Sequence, residues 1–268
     1  MKIPGKDTRY TYAVSRMRVL ETRLLATEDF ERILEEEKPD SAIHAVSEFE
    51  GYSALGSFLK NRPGIDTALS AILSGVYDFI YSLAHEKELI GPFFKKNQPD
   101  ITDSALWRLF YGQWSQNMFL NNYIKTAIDL ENIKVFFRVK MTRRDKNFLK
   151  KHLLENGRIN TKDILDLFDR PAEEIVIKAA GGFYESITTQ AREEYAQNHS
   201  ISGAEKACDN VLIEYIKQAK YFHFGVEPLV SYILARENEI KNLRIILIGK
   251  INGFEENRIR ALLRKSYV

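Results

Sequence analysis

The segment Asp129-Leu130-Glu131-Asn132-Ile133-Lys134-Val135-Phe136-Phe137 recurs, at an offset of 110 in the numbering, as Glu239-Ile240-Lys241-Asn242-Leu243-Arg244-Ile245-Ile246-Leu247. Acid, asparagine, aliphatic residue, cation and apolar run correspond in register, and Lys140 and Lys250 keep the same offset. A tyrosine lies upstream of each copy, Tyr123 and Tyr232, the second one residue out of register. Each copy leads on to an Asn-Gly turn and a short helix, read as Asn156-Gly157 before Asp163-Ile164-Leu165 and Asn252-Gly253 before Arg258-Ile259-Arg260. Thr27-Glu28-Asp29-Phe30 matches Thr161-Lys162-Asp163-Ile164 at an offset of 134, which marks a fainter third copy. A unit of long helix, turn and short helix cannot bury its apolar face alone, so such units stack on one another. The period exceeds that of ordinary helical solenoids, which predicts a few bulky units about a common axis.

Periodicity along the chain is helical. Tyr10, Val14, Met17, Leu20 and Leu24 fall three or four apart, one stripe of a first helix that Asp7 or Thr8 can cap. Thr27 opens an acidic helix over 28–37, Pro39 stops it, and Asp40 begins another through His44 to Phe49. Asn61-Arg62-Pro63-Gly64 reads as a turn, with Asp66 capping the apolar helix that carries Leu69, Ile72, Leu73, Val76, Phe79, Ile80 and Leu83. Gly91-Pro92 and Asn97-Gln98-Pro99-Asp100 mark a boundary, after which no proline occurs before Pro171, and Trp107 to Phe137 predict one or two very long helices. Thr161 caps a short helix to Phe168, Pro171 suits a first helical turn, and helices follow over 183–197 and 204–222. Gly225 supplies a left-handed residue, Glu227-Pro228 starts a long helix to about Ile248, and a last short helix covers 255–265. Val135–Val139 and Leu243–Ile248 are rich in β-formers but sit inside helical patterns; they are read as buried helix, with strands the alternative that periodicity leaves open. The expected fold is all-α, with two to three related helical subdomains in a funnel-like pseudo-symmetric arrangement. The expected boundaries are 1–98, 99–170 with the Asp-x-x-Asn helix, and 171–268.

Composition narrows the function. With 44% hydrophobic residues, 39 Lys+Arg against 37 Asp+Glu and a net charge of +2, the chain is neither disordered nor the strongly basic protein that phosphate contacts require. Cys208 is its single cysteine, which excludes a disulfide framework and a multi-cysteine metal site and suits a reducing, cytosolic setting. No apolar signal core follows Met1, and stretches such as Ile245–Ile248 fall far short of the roughly 20 apolar residues that span a bilayer.

Catalytic signatures are missing. Gly249-Lys250 is followed by Ile251, so the phosphate-binding GxxxxGK[ST] pattern fails, and neither GxGxxG nor GxSxG occurs. His44, His85, His152, His199 and His223 are too scattered for a helical pair of metal ligands, and Asn198-His199-Ser200 matches the glycosylation pattern by letter only. Asp129 and Asn132 share a helical face, as do Glu239 and Asn242. Two roles fit them: fastening neighbouring helices, as buried polar groups require, or lining a surface that meets a partner. Arg138, Glu237 and Arg244 complete this candidate set. Arg143, Arg144, Lys146, Lys150 and Lys151 form a basic face interrupted by Asp145; such faces are usually solvated, and the sharper readings are lipid headgroups, acidic neighbours or RNA.

Phe222-His223-Phe224-Gly225-Val226-Glu227-Pro228, followed by Tyr232-Ile233-Leu234-Ala235-Arg236-Glu237-Asn238-Glu239-Ile240-Lys241-Asn242-Leu243-Arg244, resembles the C-type subunit of V/A-type ATP synthases and the d-type subunit of vacuolar ATPases. The opening Tyr12-Ala13-Val14-Ser15-Arg16-Met17-Arg18 with Glu21 and Leu24-Leu25, the central Asp129–Lys140 segment and Cys208-Asp209-Asn210-Val211-Leu212 are similar to the same family, whereas residues 38–120 match poorly. The resemblance implies a shortened member of a three-subdomain family. It also implies a non-catalytic central-stalk subunit, cytoplasmic and peripheral, that couples the membrane's proteolipid ring to the rotating shaft for ATP-linked proton or sodium transport. Its partners would be that ring and the D- and F-type shaft subunits. No cofactor, metal, small-molecule substrate or nucleic acid is implied, and membrane contact would be indirect, through the ring. The alternative function is a diverged helical scaffold or RNA-binding module.

Overall fold

A computed structural model describes residues 8–60, 64–96, 98, 100–170, 182 and 184–268. The start Met1–Asp7, Asn61-Arg62-Pro63, Asn97, Pro99, Pro171 and Phe183, on which several of the expectations above fall, lie outside the described residues. Among the described residues there are thirteen α-helices and no strand. In chain order they are α1 Thr11–Glu21, α2 Thr27–Glu35, α3 Pro39–Ser47, α4 Ile65–Leu83, α5 Lys87–Ile90, α6 Asp103–Trp114 and α7 Met118–Met141. They continue with α8 Lys146–His152, α9 Thr161–Leu167, α10 Glu185–Asn198, α11 Ser202–Lys217, α12 Glu227–Ile251 and α13 Glu256–Leu262. The two β-former-rich runs lie inside α7 and α12 and are helical.

The chain packs as two compact units, Met1–Phe94 with Ile213–Val268, and Lys95–Leu212. In the first, α12 is the central rod and packs against α1, α2, α3, α4 and α13. Its core joins Phe30, Ile33, Leu34, Val46, Leu55 and Leu69 to Ile240, Leu243, Ile246 and Leu247 of α12 and Ile259 of α13. In the second, α7 plays that part against α6, α8 and α10, with Ile133, Phe136 and Phe137 packed on Leu149, Ile164, Tyr184 and Ile187. Both rods carry apolar residues nearly all round, which fits a helix covered on several sides by others.

The helix ends refine the expected ones. Pro39 is the first residue of α3 and starts that helix, its missing N–H being one that the first turn leaves unbonded in any case. Gly64, not Asp66, is the cap of α4. Asn160, not Thr161, caps α9, its Oδ1 accepting from the Lys162 N–H at 2.9 Å. Both rods end alike: Arg143 and Gly253 take positive φ, 52° and 68°. The next residue then donates back into the last turn, Arg144 N–H to the Val139 carbonyl at 3.1 Å and Phe254 N–H to the Gly249 carbonyl at 2.9 Å. The structural counterpart of Asn252-Gly253 is therefore Thr142-Arg143, at the same offset of 110, and not the Asn156-Gly157 pair. With that register, α8 (146–152) and α13 (256–262) coincide end to end.

Candidate functional site

Three polar side chains leave α7 and bind the segment packed on it. Asn132 donates from Nδ2 to the Leu154 carbonyl at 2.8 Å, and its Oδ1 accepts the Leu154 N–H at 2.7 Å, so one amide satisfies one whole residue of backbone. Asp129 accepts the Ile159 N–H at 3.0 Å through Oδ1 and the Tyr184 hydroxyl at 3.0 Å through Oδ2. The chain passes so close here that a Cβ on Gly157 would lie 2.2 Å from Asp129 Oδ1, which only glycine avoids. Lys140 Nζ donates to the carbonyls of Phe168 and, at 3.1 Å, of Arg170. Asp129 and Asn132 are fully buried. Burial holds the Asp129 carboxyl above the usual carboxylate range, with the Ile159 and Tyr184 hydrogen bonds pulling it back.

The same device recurs on α12. Asn242 donates to the Arg264 carbonyl and accepts the Arg264 N–H, both at 2.9 Å, and Leu154 and Arg264 keep the offset of 110. Glu239 accepts the Leu25 N–H and the Tyr52 hydroxyl, each at 2.5 Å, and pairs with Arg236. Lys250 donates to the Glu36 carbonyl. Leu25 precedes Ile159 by the same offset of 134 that separates Thr27 from Thr161. The N-terminal copy thus supplies to α12 the backbone groups that 159–170 supplies to α7. Burial pushes the Glu239 carboxyl up, against Arg236, Tyr52 and the Leu25 N–H, which pull it down. A second link joins α1 to the C-terminal residues: the half-buried Arg18 binds Glu21 at 2.7 Å and the Phe222 carbonyl at 2.7 Å, while the buried Tyr267 hydroxyl donates to Glu21 at 2.8 Å.

Of the remaining candidates, Arg138 and Arg244 are largely solvent-facing and Glu237 is half-buried. Arg138, 49% exposed, pairs with Glu205 at 2.7 Å and Glu131 at 3.4 Å. Arg244 pairs with Asp66 at 2.6 Å, and Glu237 accepts the Tyr77 hydroxyl at 2.5 Å. The two exposed ion pairs, Arg138 with Glu205 and Arg244 with Asp66, contribute about 0–1 kcal/mol each. Of the basic face, Lys146 pairs with Asp169 at 2.7 Å. Arg143, Arg144, Lys150 and Lys151 are exposed and make no ion pair with a described residue. Beside α8 a groove of about 630 Å³ is lined by Trp107, Val135, Val139, Phe148 and Leu154, with Arg138, Lys151 and His152 on it.

Chemically these groups are fasteners. The carboxylates of Asp129 and Glu239 are sealed from solvent and fully engaged, and burial pushes the Cys208 thiol up to about 12, too high for a thiolate nucleophile near neutrality. No group of three His, Cys, Asp or Glu side chains among the described residues could hold a metal ion. Sequence reasoning did not pick out Arg236, Tyr52 or Tyr184 as site residues. Arg236 was within reach, one helical turn before Glu239; the two tyrosines carry no local signal, because each meets its carboxylate from a distant segment.

Comparison with known proteins bears on the same region. The profile of the ATP synthase (C/AC39) subunit family matches residues 103–262, which include both Asp/Glu-x-x-Asn helices. The A-type ATP synthase C subunit of Methanocaldococcus jannaschii is 33% identical over 144 residues, 53% of this chain and 36% of the relative. That of Methanobrevibacter smithii is 31% identical over 148 residues, 54% of this chain and 38% of the relative. That of Desulfurococcus is 27% identical over 196 residues, 68% and 50% of the two chains. The aligned region thus spans half or less of the length of each of these relatives.

Proposed function

The chain belongs to the ATP synthase (C/AC39) subunit family, and from that premise we propose that it is a non-catalytic central-stalk subunit of an A-type rotary ATP synthase, joining the rotating shaft to the proteolipid ring in the membrane. The observation that carries this reading is the doubled fastener. Each long rod is tied to its neighbours by buried side chains whose polar groups bond backbone, Asn132 to Leu154 and Asn242 to Arg264. A part that passes torque must not shear between its own helices. A helix is stiff along its axis because every backbone hydrogen bond is local, so the compliant places are the seams between helices. Apolar contacts resist separation but tolerate sliding; a directional hydrogen bond to one chosen residue does not. The fasteners sit at those seams in both units.

In this role the chain takes no part in ATP chemistry. The shaft and ring would be held by extended surfaces, with Arg138, Glu237 and Arg244 among the polar positions available at them and the buried Asp129, Asn132, Glu239 and Asn242 acting as supports behind. The purified chain mixed with the shaft subunits of an A-type synthase should form a stoichiometric complex by native mass spectrometry. Failure to bind, in an assay where a full-length C-type subunit binds, would remove the proposal.

A further inference from the structure

The two rod-and-short-helix modules act as controls for each other, because they show which surface features the fold itself requires. Residues 143–152 and 253–262 share a backbone: Arg143 and Gly253 both have positive φ, and Leu149 and Ile259 are both buried. Even an arginine–phenylalanine contact occurs in both with the partners exchanged. Arg144 lies over the Phe148 ring at 5.4 Å, and Arg258 lies over Phe254 at 4.3 Å, the arginine of one standing where the other has phenylalanine. Charge is not shared. The first stretch has five cations against the single carboxylate of Asp145, whereas the second has Arg258 and Arg260 against Glu255 and Glu256. The fold therefore does not require the excess, and clustered like charges on one short helix and its turn repel one another.

We propose that this exposed end of the α7–α8 module is a docking surface for anionic phospholipid headgroups. Arg143, Arg144, Lys150 and Lys151 are exposed and form no ion pair among the described residues, and Phe148, 37% exposed, adds an apolar body between them. Cationic side chains with long apolar stems around an exposed ring suit the headgroup layer, where the stems and ring enter and the charges stay hydrated. Nucleic acid fits less well: the Phe148 ring already stacks on His152 at 4.1 Å and carries Arg144, which leaves it poorly placed to stack a base. An acidic protein segment would be gripped by walls, yet of the four cations only Lys151 is among those lining the groove beside α8. A headgroup layer asks only for charge and exposure. The surface stands on the comparison of the two modules and does not depend on the role in a rotary synthase.

The test is sedimentation of the full chain with vesicles of phosphatidylcholine, alone or with about one third phosphatidylglycerol, the proportion that gives a strongly anionic surface. Binding is expected to the anionic vesicles only and to fade as salt shortens the Debye length below the roughly 8 Å of physiological buffer. The fourfold variant Arg143→Gln, Arg144→Gln, Lys150→Gln, Lys151→Gln should weaken binding about fivefold per charge, several hundredfold in all. The control Arg258→Gln, Arg260→Gln should bind as the parent does. Circular dichroism of both variants should match the parent, since every altered side chain is at least partly exposed and none belongs to the buried core. Equal loss in both variants, no loss in the fourfold variant, binding to neutral vesicles, or binding to an RNA oligonucleotide with none to anionic vesicles would each overturn the proposal.

Discussion

Asn132 and Asn242 each satisfy the N–H and the carbonyl of one residue further along the chain, Leu154 in a buried place and Arg264 in a half-buried one. Asn132→Ala or Asn242→Ala leaves two backbone groups without partners, which should cost about 2–6 kcal/mol at roughly 1–3 kcal/mol per stranded group, the half-buried Arg264 site nearer the low end. Chemical denaturation checks this, and a loss below about 0.5 kcal/mol in either variant would mean that the segment rebonds elsewhere. Asp129 gives a pH signature. Its carboxyl is held above the usual range by burial, so the folded state binds the proton more tightly than the unfolded one. Its contribution is therefore complete below the unfolded value of about 3.9 and is lost as pH rises through the folded value. The stability of the parent relative to Asp129→Asn should fall as pH is raised from the acid side towards neutrality; a flat or rising difference would contradict the assignment. The acid and asparagine at both positions were legible because the spacing repeats. Their partners were not, because those are mostly backbone groups, which carry no residue identity to read.

The rods and the short helices that follow them carry the internal repeat into three dimensions. Leu149 of α8 and Ile259 of α13 occupy equivalent places and are buried; each fixes its helix to the rod before it. Truncation to alanine should cost about 2–5 kcal/mol at either position, the usual cost of emptying a closed aliphatic site. The turns test the register. Gly253→Arg copies the Arg143 turn, and since nothing lies within 4 Å of a Cβ at Gly253, the cost should be the left-handed backbone alone, about 1 kcal/mol. A much larger loss in thermal unfolding would show that the turns are not equivalent. Most helices could be read from periodicity, including the β-former-rich runs of α7 and α12, but the short α5 and α8 could not, since four to seven residues carry too few turns to show a period. Helix starts were read less well, as at Pro39, Asp66 and Thr161, since several capping residues crowd each start and the choice depends on local geometry. The Asn-Gly dipeptides misled for a related reason: φ at Asn156 is positive where the chain must clear Asp129, whereas Gly253 ends a helix, and the same two letters serve both.

At the scale of the whole molecule, the first unit is built from both ends of the chain. The N-terminal residues Leu25 and Glu36 are bonded to Glu239 and Lys250 of α12. The offset of 134 between Thr27 and Thr161 was visible in the sequence, but not that the N-terminal copy completes the C-terminal rod, because periodicity within a segment says nothing about which distant segment it meets. No helix among the described residues is long and apolar enough to cross a membrane. The proposed role turns on whether the chain couples the shaft to the ring. It is tested by ATP-driven ion transport in A-type synthase vesicles stripped of their own C-type subunit and resupplied with this chain. Transport should return while the rate of ATP hydrolysis stays within that of the intact complex. Hydrolysis that continues with no more transport than in the stripped vesicles, with the chain bound, would refute the coupling role.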